Sequence, residues 1–272
     1  MIRAKKKLGQ CFLVNTSIAH KMIRSARLST SDTVLEIGPG LGALTMPLAK
    51  STRHVVAIEK DKELFSRLKE RLYKDRITNV TLIHDDILRF DLRGLKPLFG
   101  QKIIVLGNLP YNISSPLVIR LLANHTCMDR AVLMFQQEFA QRLISQPGVK
   151  SYGAITVMVR YRAKARKLFK VSSGSFYPRP KVESMVLELD FNQPWPQRPI
   201  SDEQLRKVVK PAFLHRRKTL INALMGAPQN WEKRTILRAL ISCGIDPARR
   251  AETLGVDEYI CLAQALLLTA GG

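Results

Sequence analysis

The chain has 272 residues, enough for one large domain or a domain with an appendage, and enough to bury a core that needs no disulfide or metal. Hydrophobic residues at 46% and charged residues at 24% exclude a disordered chain. Forty-four Lys and Arg against 22 Asp and Glu leave a net charge of +22, which calls for a polyanionic partner, nucleic acid before an acidic membrane surface.

Taken in order, the pattern predicts a helix over 16–27, with Ile18, Met22, Ile23 and Ala26 on one face. Short apolar strands are expected at 33–37, 54–59, 80–84, 102–107 and 131–135. Helices fall between or after them at 41–50, 61–73 with Asp61 as N-cap, from 115 with Pro116 in the first turn, and from about 138. Segments 167–171 and 184–191 read as an antiparallel pair. Strands alternating with helices predict βαβ units, a doubly wound α/β domain with a mostly parallel sheet, and ligands at the carboxyl ends of its strands. The segment 192–199 holds three prolines and reads as a linker. Beyond it the pattern is all helical, at about 201–214, 217–225, 231–242 and 257–269. The expected division is an α/β domain over 1–198 and a small all-helical domain over 199–272.

Cys11, Cys127, Cys243 and Cys261 form no C-x-x-C pair, so neither a zinc site nor a disulfide framework is expected, and reduced thiols fit a cytosol. The five His form no ligand-spaced cluster, and no metal is expected. The basic start is not followed by an apolar run of signal-peptide length, and the apolar stretch at 260–270 is too short to span a bilayer. A soluble, cytoplasmic protein without a membrane partner is the expectation. Nothing in the sequence points beyond a monomer.

The first strand runs into Glu36-Ile-Gly-Pro-Gly-Leu-Gly42, and the second ends in Glu59, whose carboxylate suits the two hydroxyls of a ribose. Two cofactors compete for such a site. Gly38, Gly40 and Ala43 formally match the dinucleotide fingerprint, with Glu59 at about the right distance. Pro39, however, removes a loop N–H that a pyrophosphate would want. The E-x-G-x-G-x-G spacing is the usual loop of S-adenosylmethionine enzymes, and the acids Glu36 and Asp86 suit a sulfonium and an amino group.

The fourth strand ends in Gly107-Asn-Leu-Pro-Tyr111, at the sheet edge where a substrate would lie. This grouping suits methylation of a planar exocyclic amine, a poor nucleophile because its lone pair is delocalised. The Asn108 side-chain oxygen and the Leu109 carbonyl can each accept one N–H and turn the nitrogen toward tetrahedral geometry. Pro110 sets the chain direction and offers no competing N–H, and Tyr111 can stack on the base. The base must leave its own stack to reach this pocket.

With those residues in view, the sequence resembles the KsgA-type (RsmA) small-subunit ribosomal RNA adenine dimethyltransferases, relatives of the Erm enzymes. The blocks that carry the resemblance are Leu8-Gly-Gln-Cys-Phe-Leu13, Glu36 to Gly42, Asn108 to Ser114, Phe176 to Ser184, Ala212 to Thr219 and Gly244 to Glu252. It implies a Rossmann-like class I methyltransferase with a mostly parallel seven-stranded sheet and a C-terminal helical RNA/subunit-binding domain. It implies S-adenosyl-L-methionine as cofactor and dimethylation of N6 on two adjacent adenosines in the 3′-terminal hairpin of 16S rRNA within the 30S subunit, with a role in late subunit assembly. Carried over by position, Cys11, Leu13, Glu36, Gly38, Gly40, Glu59, Asp86 and Asn108 would hold the cofactor. Asn108, Leu109, Pro110, Tyr111 and Phe176 would frame the adenine, Phe176 being an aromatic on a stiff, proline-flanked loop. The family usually carries Asn or His at the position of Cys11, which leaves affinity intact only if the contact there is made by backbone.

Between Glu138 and Glu183 there is no acid and there are ten basic residues. Further clusters are Lys5, Lys6 and Lys7; Arg216, Arg217 and Lys218; and Arg249 and Arg250. Together they are expected to form an RNA surface that reads phosphates. Three rival readings are an assembly or transcription factor that keeps the fold without turnover, a nicotinamide-dependent oxidoreductase, and a methyltransferase for another amine. The intact Asn108 to Tyr111 block speaks against the first, and the charge against the second. The basic surface and the C-terminal blocks speak against the third.

Overall fold

A computed structural model describes residues 5, 10–95, 100 and 102–268. The elements run β1 (Phe12–Leu13), α1 (Thr16–Ser25), β2 (Thr33–Ile37), α2 (Thr45–Ser51), β3 (His54–Glu59), α3 (Lys62–Lys74), β4 (Val80–His84), β5 (Ile103–Asn108) and α4 (Ser114–Ala123). They continue with β6 (Met128–Gln136), α5 (Gln137–Leu143), α6 (Ala154–Arg162), β7 (Lys164–Val171), β8 (Phe176–Tyr177), β9 (Ser184–Asp190), α7 (Asp202–Leu214), α8 (Leu220–Leu224), α9 (Lys233–Ser242) and α10 (Val256–Leu268).

Local chemistry explains the boundaries. Asn15 caps α1 by accepting from Ser17 N at 3.0 Å, and Asp61 caps α3 by accepting from Glu63 N at 2.9 Å. Each helix buries one stripe, Ala19, Met22 and Ile23 in α1 and Leu64, Leu68 and Leu72 in α3. Every residue of β2 is buried, as expected of a strand covered on both faces.

The chain forms two units. One comprises Met1–Ala140 with Lys164–Asn192, the other Gln141–Ala163 with Gln193–Gly272. The boundaries therefore fall within α5, between α6 and β7, and after β9, rather than at the expected 198/199. The reason is α6, which the sequence pattern does not reveal. Its run of Thr156, Val157 and Val159 is β-branched, which weakens the helix signal, yet the segment is helical and its buried residues belong to the helical unit.

The first unit is a seven-stranded sheet in the order β4-β3-β2-β5-β6-β9-β7. β4, β3, β2, β5 and β6 are parallel, and β9 runs antiparallel to β6 and β7. The chain winds outward from β2 to β4 and then returns to β5, so the carboxyl ends of β2 and β5 mark the topological switch point. The two strands approach closely there: a Cβ on Gly107 would sit 2.8 Å from the Ile37 carbonyl oxygen. A separate two-stranded sheet pairs β1 with β8, placing Leu13 opposite Phe176. The basic run of the sequence supplies β7, an edge strand of the sheet, whose charge discourages further pairing. Arg166 of β7 and Arg27 both donate to buried Glu188, at 2.7 and 2.9 Å.

In the second unit α6 to α10 enclose a core of Tyr152, Tyr161, Leu205, Val208, Leu240, Tyr259 and Leu262. Its tyrosines spend their hydroxyls inside. Tyr152 donates to the Leu254 carbonyl at 2.9 Å, Tyr259 to Ala251 at 2.6 Å, and Tyr161 to Ile200. The expectation of four reduced thiols is corrected here. Cys243, just past α9, is disulfide-bonded to Cys261 of α10, with Cα atoms 5.8 Å apart, while Cys11 and Cys127 are free. Helix packing brings this pair together from 18 residues apart, a proximity that sequence spacing does not encode. Among the described residues no helix is long and apolar enough to cross a membrane.

The buried Tyr259 hydroxyl provides a test. Tyr259→Phe leaves the Ala251 carbonyl only the longer bond from Leu254 N at 3.4 Å and should lower stability by about 0.5–1.5 kcal/mol, measured by denaturant unfolding of the intact chain.

Candidate active site

A cavity opens at the carboxyl ends of β2, β3 and β5, where the switch-point rule places ligands. Its walls bring together Cys11, Leu13, Glu36, Gly38, Gly40, Glu59, Asp86 and Asn108, residues that the sequence separates by almost 100 positions, with Leu109 and Pro110 beside them. Gly38 and Gly40 both adopt left-handed backbone, at φ 66° and 57°. A Cβ on Gly40 would meet the Phe12 ring at an ordinary contact distance of 3.5 Å, so it is the left-handed backbone that favours glycine there.

Glu36, next to last in β2, is 1% exposed, and its Oε2 has no hydrogen-bond partner. Burial pushes its carboxyl up to about 8; neighbouring Thr45 pulls it back only in part, and the charge of Glu59 adds to the rise. Glu59 ends β3, its Oε2 accepting from Gly40 N at 3.0 Å and its Oε1 from Asp61 N at 2.8 Å. Burial also raises this carboxyl, against the pull of those amides. Each of its oxygens keeps lone-pair capacity for a hydroxyl. Asp86 follows β4. Burial would raise it, but the Lys60 ammonium at 2.7 Å and the Leu88 N–H hold it below the ordinary carboxylate range.

Asn108 closes β5 and donates its Nδ2 to the Cys11 carbonyl at 3.1 Å. That bond assigns the amide orientation and leaves Oδ1 as an acceptor. Cys11 takes part through its backbone, and burial pushes its thiol up, so it is a protonated side chain rather than a nucleophile. Tyr111 lies on a 3₁₀ turn after Pro110 and shares a hydrogen bond with Ser184 at 3.0 Å. Its phenol is raised by burial, with Ser184 drawing it back in part, and it stays neutral at physiological pH.

Some expected residues fall elsewhere. Phe176 does not line the cavity; it is 4% exposed, opposite Leu13, in the core beneath the sheet. Its neighbour Tyr177 is the exposed aromatic of that strand, at 56%. Lys5 binds Asp61 at 2.8 Å, and Gln10 reaches the same carboxylate at 3.0 Å, so both side chains are spent on the cap of α3. Lys6 and Lys7 lie outside the described residues. Arg216 is held within its unit by the carbonyls of Lys150 and Tyr152 and by Glu252, and Arg249 is held by Thr253 and Glu258. The side chains of Arg217, Lys218 and Arg250 are exposed and, among the described residues, unpartnered. Phe12, Asp85 and Asn112 also line the cavity, and the sequence did not single them out. The repeated acids after β4 were a signal for Asp85; Phe12 and Asn112 become visible only through the fold.

The donor set fits S-adenosylmethionine better than a dinucleotide. Glu36, Glu59, Asp85 and Asp86 face the cavity against one cation, Lys60, and the partnerless Glu36 oxygen lacks a donor such as an amino group would supply. A pyrophosphate would be repelled from the same surface.

Comparisons with known proteins agree. A family model described as ribosomal RNA adenine dimethylase matches residues 1–266. The chain is 44% identical to a Ribosomal RNA small subunit methyltransferase A from Desulforapulum autotrophicum, over 97% of this chain and 93% of that protein. It superposes on a dimethyladenosine transferase from Plasmodium falciparum with TM-score 0.80 and 27% identity, covering 95% of this chain and 98% of that one. The fold is also that of the 23S rRNA methyltransferase ErmE, with TM-score 0.68 and 24% identity over 94% of this chain and 99% of that one.

The state of Glu36 sets a pH dependence. Unfolded, this carboxyl releases its proton near 4.5; folded, near 8. Between those values the folded chain binds more protons, so its stability without ligand falls as pH rises through that window and levels off above it. Thermal unfolding from pH 5 to 8 should show a smaller loss for Glu36→Gln than for the parent chain; parallel curves would refute the assignment.

Proposed function

The chain belongs to the ribosomal RNA adenine dimethylase family, and from that premise we propose that it acts on the two adjacent adenosines of the 3′-terminal hairpin of 16S rRNA within the 30S subunit. Membership makes it an S-adenosylmethionine-dependent rRNA adenine N6,N6-dimethyltransferase. The substrate site, the cytoplasmic setting, action as a monomer without metal, and a part in late subunit assembly belong to the proposal.

The observation that carries the reading is the orientation of Asn108, whose Nδ2 is spent on Cys11 while Oδ1 stays available beside the cavity. S-adenosylmethionine, when bound, supplies an electrophilic methyl on a sulfonium. Glu36, with its partnerless oxygen, would take the amino group, Glu59 the ribose hydroxyls, and Asp86 the adenine edge. Leu13, Gly38 and Gly40 shape the wall. Asn108 Oδ1 and the Leu109 carbonyl accept the two N–H bonds of the target amine, localising its lone pair and aiming it at the methyl. Pro110 keeps the turn free of a competing donor. Tyr111 stacks on the flipped base. No strong base is needed, since the proton becomes acidic once nitrogen is methylated, so catalysis is positioning and electrostatics. Phe176 supports this platform from beneath, as its burial favours.

The RNA surface narrows to Arg217, Lys218 and Arg250, the exposed cations of the C-terminal blocks that have no internal partner among the described residues. Arg216 and Arg249 instead hold the helical unit together, so the two sets separate recognition from stability.

Two tests follow. Subunits lacking the dimethylation, incubated with the protein and S-adenosylmethionine, should yield N6,N6-dimethyladenosine by mass spectrometry. Asn108→Ala should keep the melting temperature and lower the yield by roughly two orders of magnitude or more; near-normal transfer would sink the role of Asn108, and binding without transfer by the parent chain would favour an assembly factor. Reversing Arg217, Lys218 and Arg250 to Glu should flatten the salt dependence of subunit binding, by about 0.7–0.9 in log–log slope for each phosphate no longer neutralised. An unchanged slope would place the RNA surface elsewhere.

A further inference from the structure

We propose that Ser184 is a positioning residue for methyl transfer, its hydroxyl anchoring the tip of the Tyr111 ring against which the target adenine stacks. The inference rests on the role given to Tyr111 above. Tyr111 sits on a short, three-residue 3₁₀ turn without a side-chain cap. Its phenol reaches Ser184 Oγ at 3.0 Å, a contact that spans 73 residues of sequence.

Ser184 is a rigid anchor. It is fully buried, and it opens β9 with Gln136 of β6 opposite it on one side and Val171 of β7 on the other. Its level in the sheet is also the relevant one. Asn108 pairs with Met134 of β6, and Ser184 with Gln136, two residues further toward the carboxyl edge. That step is roughly 7 Å along the strand, which carries the hydroxyl past Asn108 to the rim where a base would enter. A serine that only closed the strand would leave its hydroxyl to local backbone. Here it is spent on the aromatic of the reactive loop. The bond fixes the direction of the ring axis without touching the cofactor cavity, whose walls include neither residue.

The test uses the full-length protein with unmethylated small subunits. Ser184→Ala and Tyr111→Phe should each lower kcat about three- to tenfold, with cofactor affinity unchanged. The double variant should fall no further than either single, and Ser184→Thr, which keeps the hydroxyl, should recover most of the loss. Multiplying effects in the double variant, or a weakened cofactor affinity in Ser184→Ala at unchanged kcat, would overturn the proposal. Should Ser184→Ala fail to fold, Tyr111→Phe leaves the buried strand intact, and a parent-like kcat there overturns it alone. Tyr111→Ala separates the two levels. If it transfers normally, Tyr111 does not hold the base and both readings fall. If it is severely impaired while Ser184→Ala and Tyr111→Phe match the parent, only the role of Ser184 falls.

Discussion

The hydrogen bond from Asn108 Nδ2 to the Cys11 carbonyl does two jobs at once. It chooses between the two faces of the amide, because the opposite orientation would set two acceptors against each other at the same distance. It also fastens the N-terminal segment to the end of β5. That segment holds β8 through β1, β8 leads on to Ser184, and Ser184 returns to Tyr111 in the loop that follows Asn108. The reactive loop is thus enclosed by a closed circuit of tethers, drawn from parts of the chain that are remote in sequence.

Charge is divided with the same economy. The chain carries +22 overall, yet its cavity is lined by four carboxylates and one ammonium. A small cation is drawn inward, while a polyanion is repelled from the pocket. The raised carboxyls of Glu36 and Glu59 are the cost of crowding acids in a dry place. A positive ligand relieves that crowding, which makes the site more stable filled than empty.

Much of this arrangement was legible in the residues. The glycine loop, the acids at strand ends and the Asn108 to Tyr111 block each mark a point where a strand stops, so once the strands are placed their convergence follows from topology. What stayed hidden depended on packing. Cys243 and Cys261 meet because α9 and α10 do. Phe176 looks like a loop aromatic, but pairing with Leu13 turns it into the core. Arg216 and Arg249 read as free surface cations, and the carbonyls and carboxylates that hold them come from residues brought together by folding. The β-branched run of α6 concealed a helix whose identity is settled by the aromatic core it joins.

That helix gives the chain an interleaved order: sheet, helical unit, sheet, helical unit. A gene fragment ending at the proline-rich linker would therefore not encode a self-sufficient catalytic half. It would carry Tyr152, Val157 and Tyr161 without the α7 and α10 residues that cover them, presenting a sticky apolar face to solvent. The helical part, in turn, cannot be shuffled onto another enzyme as a simple C-terminal cassette. Two junctions must be crossed together, so a single crossover point does not separate the sheet unit from the helical unit.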